Sequence, residues 1–171
     1  MTTACTSRVG FGFDVHPFEA GRELVLGGVA IQHDRGLAGH SDADVLSHAI
    51  ADALLGAACL GDIGQHFPAT EPRWKGVSSL HFLEEVRELL EQNGFSIINL
   101  DCTVVAEQPR LLPHVERIRE QLGAALKINP GTIGVKGKTC EGLGAIGRSE
   151  GIAAYAVALV DRKVQNQEGQ K

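Results

Sequence analysis

Asp14 and His16 stand two residues apart in Gly12-Phe13-Asp14-Val15-His16, and His48 ends the run His40-Ser41-Asp42-Ala43-Asp44-Val45-Leu46-Ser47-His48. Residues two apart on a strand project from one face, so Asp14 and His16 can reach a single ion. His48, on a helix, is a candidate third ligand. One carboxylate and two imidazoles suit zinc or a similar divalent metal and leave a coordination position open for substrate. Asp44, His48 and Asp52 follow at i, i+4 and i+8, so either carboxylate could orient the imidazole from an outer shell. The plainer alternatives are an ordinary polar pair on the strand and an Asp44 that only caps its helix. His33, His66, His81 and His114 read as surface or satisfied polar residues.

Gly142-Leu143-Gly144-Ala145-Ile146-Gly147 matches the glycine pattern of dinucleotide-binding turns. The context fails, because the chain ends before a second crossover strand could carry a ribose-binding acid. A loop whose N–H groups approach phosphates, with charge from Lys136, Lys138 and Arg148, is the better functional reading; a wide turn between strands is the plain one. Glu141 in the same loop could hold a harder cation such as Mg²⁺ between phosphates, or could simply face solvent.

The elements that must position these residues are legible in part. Arg8 to His16, rich in Phe and Val, predicts a strand ending at Pro17. Glu23-Leu24-Val25-Leu26 and Val29-Ala30-Ile31 flank Gly27-Gly28, a hairpin signal. A loop, Gln32 to His40, leads into a helix with Ser41 as N-cap and Val45, Leu46, Ala49, Ile50, Ala53 and Leu54 on its buried face. Phe67 to Pro72 reads as an extended surface loop. Ser78 or Ser79 starts a second helix that Gly94 stops. Ile97 to Glu107 predicts a strand with Ile98, Leu100, Cys102, Val104 and Ala106 on one face. Pro113 opens a third helix, Asn129-Pro130 ends it, and Thr132 to Lys138 and Ile152 to Val160 are further strands. The class is α/β or α+β, a single domain with helices layered on a sheet.

Composition narrows the function. The 171 residues are 43% hydrophobic and 22% charged, enough for one real core. Sixteen Lys and Arg against 21 Asp and Glu give a net charge of −5 without a basic run, which argues against a nucleic-acid or membrane-surface binder. No stretch is long and apolar enough to span a bilayer and no signal peptide opens the chain, so a cytoplasmic protein is expected. Cys5, Cys59, Cys102 and Cys140 lie far apart, which suggests neither a disulfide framework nor a cysteine zinc knuckle. Residues 1–7 and 161–171 read as flexible ends around a domain spanning 8–160.

Taken together, Gly12-Phe13-Asp14-Val15-His16, His40-Ser41-Asp42-x-Asp44-x-x-x-His48, Asp52-Ala53-Leu54-Leu55-Gly56-Ala57, Gly61-Asp62-Ile63-Gly64, Leu112-Pro113-His114 and Gly147-Arg148-x-Glu150-Gly151 resemble, in order, the 2-C-methyl-D-erythritol 2,4-cyclodiphosphate synthases of the non-mevalonate isoprenoid pathway. The resemblance runs from about Arg8 to Val160. It implies a mixed sheet covered by helices, assembled as a homotrimer around a central axis, with active sites shared between subunits. It also implies the reaction: the 2-phosphate of 4-diphosphocytidyl-2-C-methyl-D-erythritol 2-phosphate attacks the β-phosphate and expels CMP. By this likeness Asp14, His16 and His48 bind zinc, and Glu141 helps bind Mg²⁺ or Mn²⁺.

His40 and Thr139 resemble the residues that stabilise the transition state. Ser41 joins Asp14, Val15 and His16 as a substrate contact. Asp62, Ile63 and Gly64, with Phe67, Pro68, Ala69, Thr70 and Glu71, are implied at the erythritol. Ala106, Glu107, Gln108, Pro109, Arg110, Leu111 and Leu112 are implied at the cytidine, with Lys138, Thr139, Cys140 and Glu141 around its phosphates. Ala69 and Glu71 stand where relatives often have Asp, Cys140 where Thr or Asn is usual, and Ala145 where some have Phe. Ala145 and Arg148 are implied near a central cavity that in some relatives holds an isoprenoid diphosphate. The rival readings are a zinc phosphoesterase that activates water and a non-catalytic trimer that binds isoprenoid diphosphates.

Overall fold

The structure, a computed structural model, describes residues 6–162. An alternation of size along the first strand, β1 (Ser7–Ala20), sets its architecture. A Cβ on Gly10 would sit 1.9 Å from the Ala53 carbonyl oxygen, and one on Gly12 would sit 1.9 Å from that of Ala49. Only glycine fits, so helix α1 (Val45–Ala58) rests directly on the strand. Ala49, Ala53 and Ala57 supply the helix side of this contact, and Ala154, Ala156 and Ala158 of the last strand, β7 (Gly151–Arg162), are buried beside them. The close approach brings Asp14 and His16, next along the same strand face, against the first turns of α1.

Five strands form one sheet in the order β4-β1-β7-β5-β6, where β4 is Arg35–Leu37, β5 is Phe95–Val105 and β6 is Ile133–Lys138. β7 pairs antiparallel with both β1 and β5, whereas β5 and β6 are parallel and are joined through helix α4 (Val115–Leu126). With α1 on β1 and β7, α3 (Ser79–Gln92) on α1 and β5, and α4 on α3 and β6, the helices make one layer. This is the mixed, helix-covered single domain expected. The opposite sheet face leaves Val9, Phe11, Phe13, Val15, Tyr155 and Val157 exposed. No helix among the described residues is long and apolar enough to cross a membrane.

Gly27 and Gly28 form the expected two-residue turn between β2 (Leu24–Leu26) and β3 (Val29–Ile31), with φ of +56° and +73°. The structure differs from the sequence reading elsewhere. β1 continues through Pro17, whose carbonyl accepts from Ala38 N while Phe18 N donates to Glu150 O, so the missing N–H falls where β1 exchanges one partner strand for the other. β4 occupies part of the expected loop 32–40. The N-cap of α1 is Asp44 and not Ser41: Asp44 has an extended backbone, and its carboxylate accepts from Leu46 N and Ser47 N. A register shift between Ile97 and Asn99 turns Ile98 off the face shared by Leu100, Cys102 and Val104, and leaves it exposed. Phe67 is buried against Trp74 and Phe82, with ring centroids 5.3 and 4.5 Å away. Ser7 pairs with Asp161, and Arg162 ends β7, so these residues belong to the sheet; of the expected flexible ends, 1–5 and 163–171 lie outside the described residues.

Candidate active site

β1 delivers Asp14 and His16, and α1 delivers His48 one turn past its cap. His16 Nε2 lies 2.9 Å from Asp14 Oδ2 and 3.2 Å from His48 Nδ1, and His48 Nδ1 lies 3.0 Å from the same carboxylate oxygen. Three ligand atoms thus converge, near the separations of roughly 3.3 Å that donors take around a tetrahedral ion. The outer nitrogen of His16, Nδ1, sits 2.6 Å from the Ala38 carbonyl, which can only accept, so Nδ1 carries a proton and Nε2 of the neutral ring presents a lone pair to the cluster. Asp14 Oδ1 accepts from Val15 N at 2.8 Å, leaving Oδ2 for the histidines. An N2O set of acceptors aimed at one another fits zinc, the ion that the resemblance implies.

Charge is distributed accordingly. Partial burial pushes the Asp14 carboxyl up, but hydrogen bonds and attraction from His16 and His48 outweigh this and hold it well below the usual carboxylate range. For His16, burial lowers the value and Asp14 more than compensates, so the imidazole is raised. Burial raises Asp52, which accepts from Ile63 N at 2.8 Å. Neither expected outer-shell carboxylate hydrogen-bonds His48, although Asp52 and His48 attract each other electrostatically. Asp44 binds Gly27 N and Gly28 N at 2.9 and 2.7 Å and Ser47 Oγ at 2.7 Å, tying the hairpin to α1, and its burial pushes the carboxyl up. The outer nitrogen of His48 faces two serines instead, Ser79 Oγ at 2.9 Å and Ser41 Oγ at 3.2 Å.

Around the cluster lies a cleft of about 260 Å³ that also brings together His40, Ser41, Asp52, Ile63, Gly64, Phe67 and Ala69. His40 Nε2 is 3.2 Å from the Glu71 carbonyl. Asp62 caps the short helix α2 (Ile63–His66), Glu71 pairs with Arg73, and Pro68 and Thr70 stand outside the lining, as does Val15 on the far side of the sheet. Trp74 and Phe82, which sequence reasoning did not single out, complete the apolar wall. Their signal was a helical and aromatic pattern indistinguishable from ordinary core.

A second cleft, of about 570 Å³, shares no lining residue with the first. Ala106, Glu107, Pro109, Arg110, Leu111 and Leu112 form one wall, and Lys138, Thr139 and Glu141 form another. Leu26 from the hairpin and Val135 were missed, being indistinguishable in sequence from core residues. Gln108 and Cys140 are not in the lining; Cys140 N donates to Glu107 Oε1 at 2.8 Å and fastens the two walls. Thr139 Oγ1 donates to Glu141 Oε1 at 2.8 Å. The glycine-rich loop folds back on itself as a turn, α5 (Gly144–Gly147), that includes Ala145, with Gly147 packed on Gly142. Lys136 is paired with Asp101 and Arg148 with Glu150, so their charges are largely matched within the chain.

Comparison with known proteins places the whole fold. A 2-C-methyl-D-erythritol 2,4-cyclodiphosphate synthase from Syntrophobacter fumaroxidans is 58% identical over 153 residues, covering 90% of this chain and 96% of its own. The structure of a Plasmodium falciparum IspF in complex with CDP superposes with a TM-score of 0.82 at 34% identity, covering 94% of this chain and 99% of that one. The bifunctional IspDF of Campylobacter jejuni superposes with a TM-score of 0.88 at 39% identity over 91% of this chain, which spans only 42% of that longer protein. The pattern described as the YgbB family matches residues 7–161, nearly the whole described fold, and the chain belongs to that family.

Proposed function

We propose that this chain converts 4-diphosphocytidyl-2-C-methyl-D-erythritol 2-phosphate into 2-C-methyl-D-erythritol 2,4-cyclodiphosphate and CMP. The observation that carries the reading is the convergence of Asp14, His16 and His48 in a cleft lined by the residues expected at the erythritol. An oxygen of the 2-phosphate forms a bond to the β-phosphorus, the bond from that phosphorus to the bridging oxygen breaks, and CMP departs with the electron pair. A phosphate monoester is already a nucleophile near neutral pH, so no serine, cysteine or strong base is required. Zinc held by Asp14, His16 and His48, and Mg²⁺ or Mn²⁺ held with the help of Glu141, would supply positive charge to the phosphate oxygens.

The chain's own groups orient and discriminate. His40 donates through Nε2–H to Glu71 O, so in its doubly protonated form the remaining Nδ1–H can donate to a phosphate oxygen in the transition state, and Thr139 donates from the nucleotide side. Ser41 contacts the substrate, and Phe67, Trp74 and Phe82 exclude water from the erythritol cleft. The second cleft, between the 106–112 and 138–141 loops, takes the cytidine.

The two clefts are separate within one chain, and an apolar sheet face stands uncovered. Both features support a homotrimer whose active sites join one subunit's metal cleft to a neighbour's nucleotide cleft. Arg148 and Ala145 are assigned to the region near its axis, where an isoprenoid diphosphate is a further candidate ligand, and the cytoplasm is the expected compartment. Incubation of purified protein with the substrate, Zn²⁺ and Mg²⁺, read by phosphorus NMR, should yield cyclic diphosphate and CMP in equal amounts. Release of linear phosphate would instead support a phosphoesterase, and no turnover would support a binding protein.

A further inference from the structure

His48 reaches the ligand cluster through Nδ1, whereas His16 does so through Nε2. For His16 the Ala38 carbonyl accounts for this choice. For His48 the outer partner is a hydroxyl, Ser79 Oγ, which could in principle either give or take a proton. The residue behind it settles the serine's polarity, against the pull of Asp14 Oδ2, 3.0 Å from Nδ1 of the same ring. Ser79 is wholly buried, and its Oγ makes a short hydrogen bond to Asp42 Oδ1 while its N–H donates to Asp42 Oδ2 at 2.9 Å. A carboxylate only accepts, so the one proton of Ser79 goes to Asp42 and its oxygen must accept from His48. Ser41 Oγ, 3.2 Å from the same ring nitrogen and 3.3 Å from Ser79 Oγ, already accepts from Ala43 N and can turn its own proton to Ser79.

We propose that Asp42 and Ser79 are positioning residues that fix His48 as its Nε2–H tautomer, so that the Nδ1 lone pair is presented to a divalent metal beside Asp14 and His16. The polarity runs one way, from His48 Nε2–H to Ser79 Oγ and from Ser79 O–H to Asp42. The relay also joins two helix starts: Asp42 N donates to Val77 O at 3.0 Å, so the loop before α1 is held to the start of α3 on which Ser79 stands. Asp42 thereby does the work that an outer-shell carboxylate does when it bonds a ligand imidazole directly, with a serine interposed. The proposal rests on reading Asp14, His16 and His48 as metal ligands.

The direct test is nitrogen-15 NMR of the histidine rings in the metal-free full-length protein, followed upward in pH until the His48 ring carries a single proton. In the native sequence the proton of His48 should be on Nε2. Asp42→Asn is nearly isosteric, but its amide must oppose either Ser79 N–H or Ser79 Oγ; the second arrangement sends the serine proton to His48 and should move the ring toward Nδ1–H. Zinc affinity, measured by chelator competition, should fall roughly 10–100-fold in Asp42→Asn and in Ser79→Ala, with melting behaviour showing that each variant is folded. A native His48 carrying its proton on Nδ1, or folded variants that bind zinc as tightly as the native chain, would overturn the relay. Should Ser79→Ala not fold, Asp42→Asn and the native spectrum still decide. A native chain that takes up no zinc would overturn the ligand reading itself, a result distinct from either of these.

Discussion

On one face of β1 the residues are Gly10, Gly12, Asp14 and His16; on the other they are Val9, Phe11, Phe13 and Val15. The first face is closed within the chain, because two glycines admit a helix backbone and the two polar residues beyond them meet His48. The second has no cover among the described residues: Phe11 is 63% and Val9 68% exposed. Burying a side chain of this kind stabilises by about 1.5–3 kcal/mol, which a lone chain forgoes along the whole strand. On our reading, one strand therefore builds half a catalytic site on one side and the surface that recruits the other half on the opposite side.

The contrast can be broken from either side, most severely through the glycines. Gly12→Val would drive side-chain atoms into the Ala49 carbonyl, and a loss of about 3 kcal/mol or more, or failure to fold, is expected by denaturant melting. His48→Ala should leave the fold intact and lower zinc affinity by more than the roughly 10–100-fold cost of an outer-shell change, read by chelator competition. On the other face, Phe11→Asp should leave secondary structure unchanged and convert the assembly to monomers in light scattering, with turnover lost.

Acid sharpens the comparison, because it acts on the polar face alone. The raised His16 binds a proton more tightly in the folded chain, and that proton competes with the metal. Zinc affinity should therefore be full above the His16 value and fall as pH drops through it. Without metal the sign for stability reverses: the His16 contribution is present below about 6.5 and lost as pH rises through its folded value. That of the lowered Asp14 is present above about 3.9 and lost as pH falls. Metal-free protein should thus gain most from this pair between these limits, in melts across pH. The smallest effect concerns a residue behind both faces. Burial pushes the Cys102 thiol up to about 12, so thiol reagents should modify exposed Cys59 and spare Cys102 in the folded chain.

How much of this was readable beforehand depended on whether local spacing carried the information. The Asp14-x-His16 pair, the Gly27-Gly28 turn and the α3 cap each depend on neighbours a few residues apart, and all are visible in sequence. The alternation in β1 was obscure because it is one of size, not polarity: Gly opposes Phe, and both count as non-polar. Ser41 resembled the better cap, yet the cap went to Asp44, whose carboxylate also satisfies the hairpin N–H groups 16 and 17 residues earlier. Asp42 and Ser79 are 37 residues apart, and nothing in either neighbourhood announces that they meet behind His48. The second cleft was visible only through family likeness, since most of its lining is aliphatic residues that look like ordinary core in sequence.

Whether each chain carries two half-sites completed by its neighbours is tested most directly by mixing two inactive variants. His48→Ala disables the metal half and Glu141→Ala the nucleotide half; each alone should show little turnover. Co-assembled in equal amounts, they should recover about a quarter of the native activity, because one interface in four then joins two intact halves in a cyclic trimer. Mixed assemblies that form and remain inactive would contradict the account.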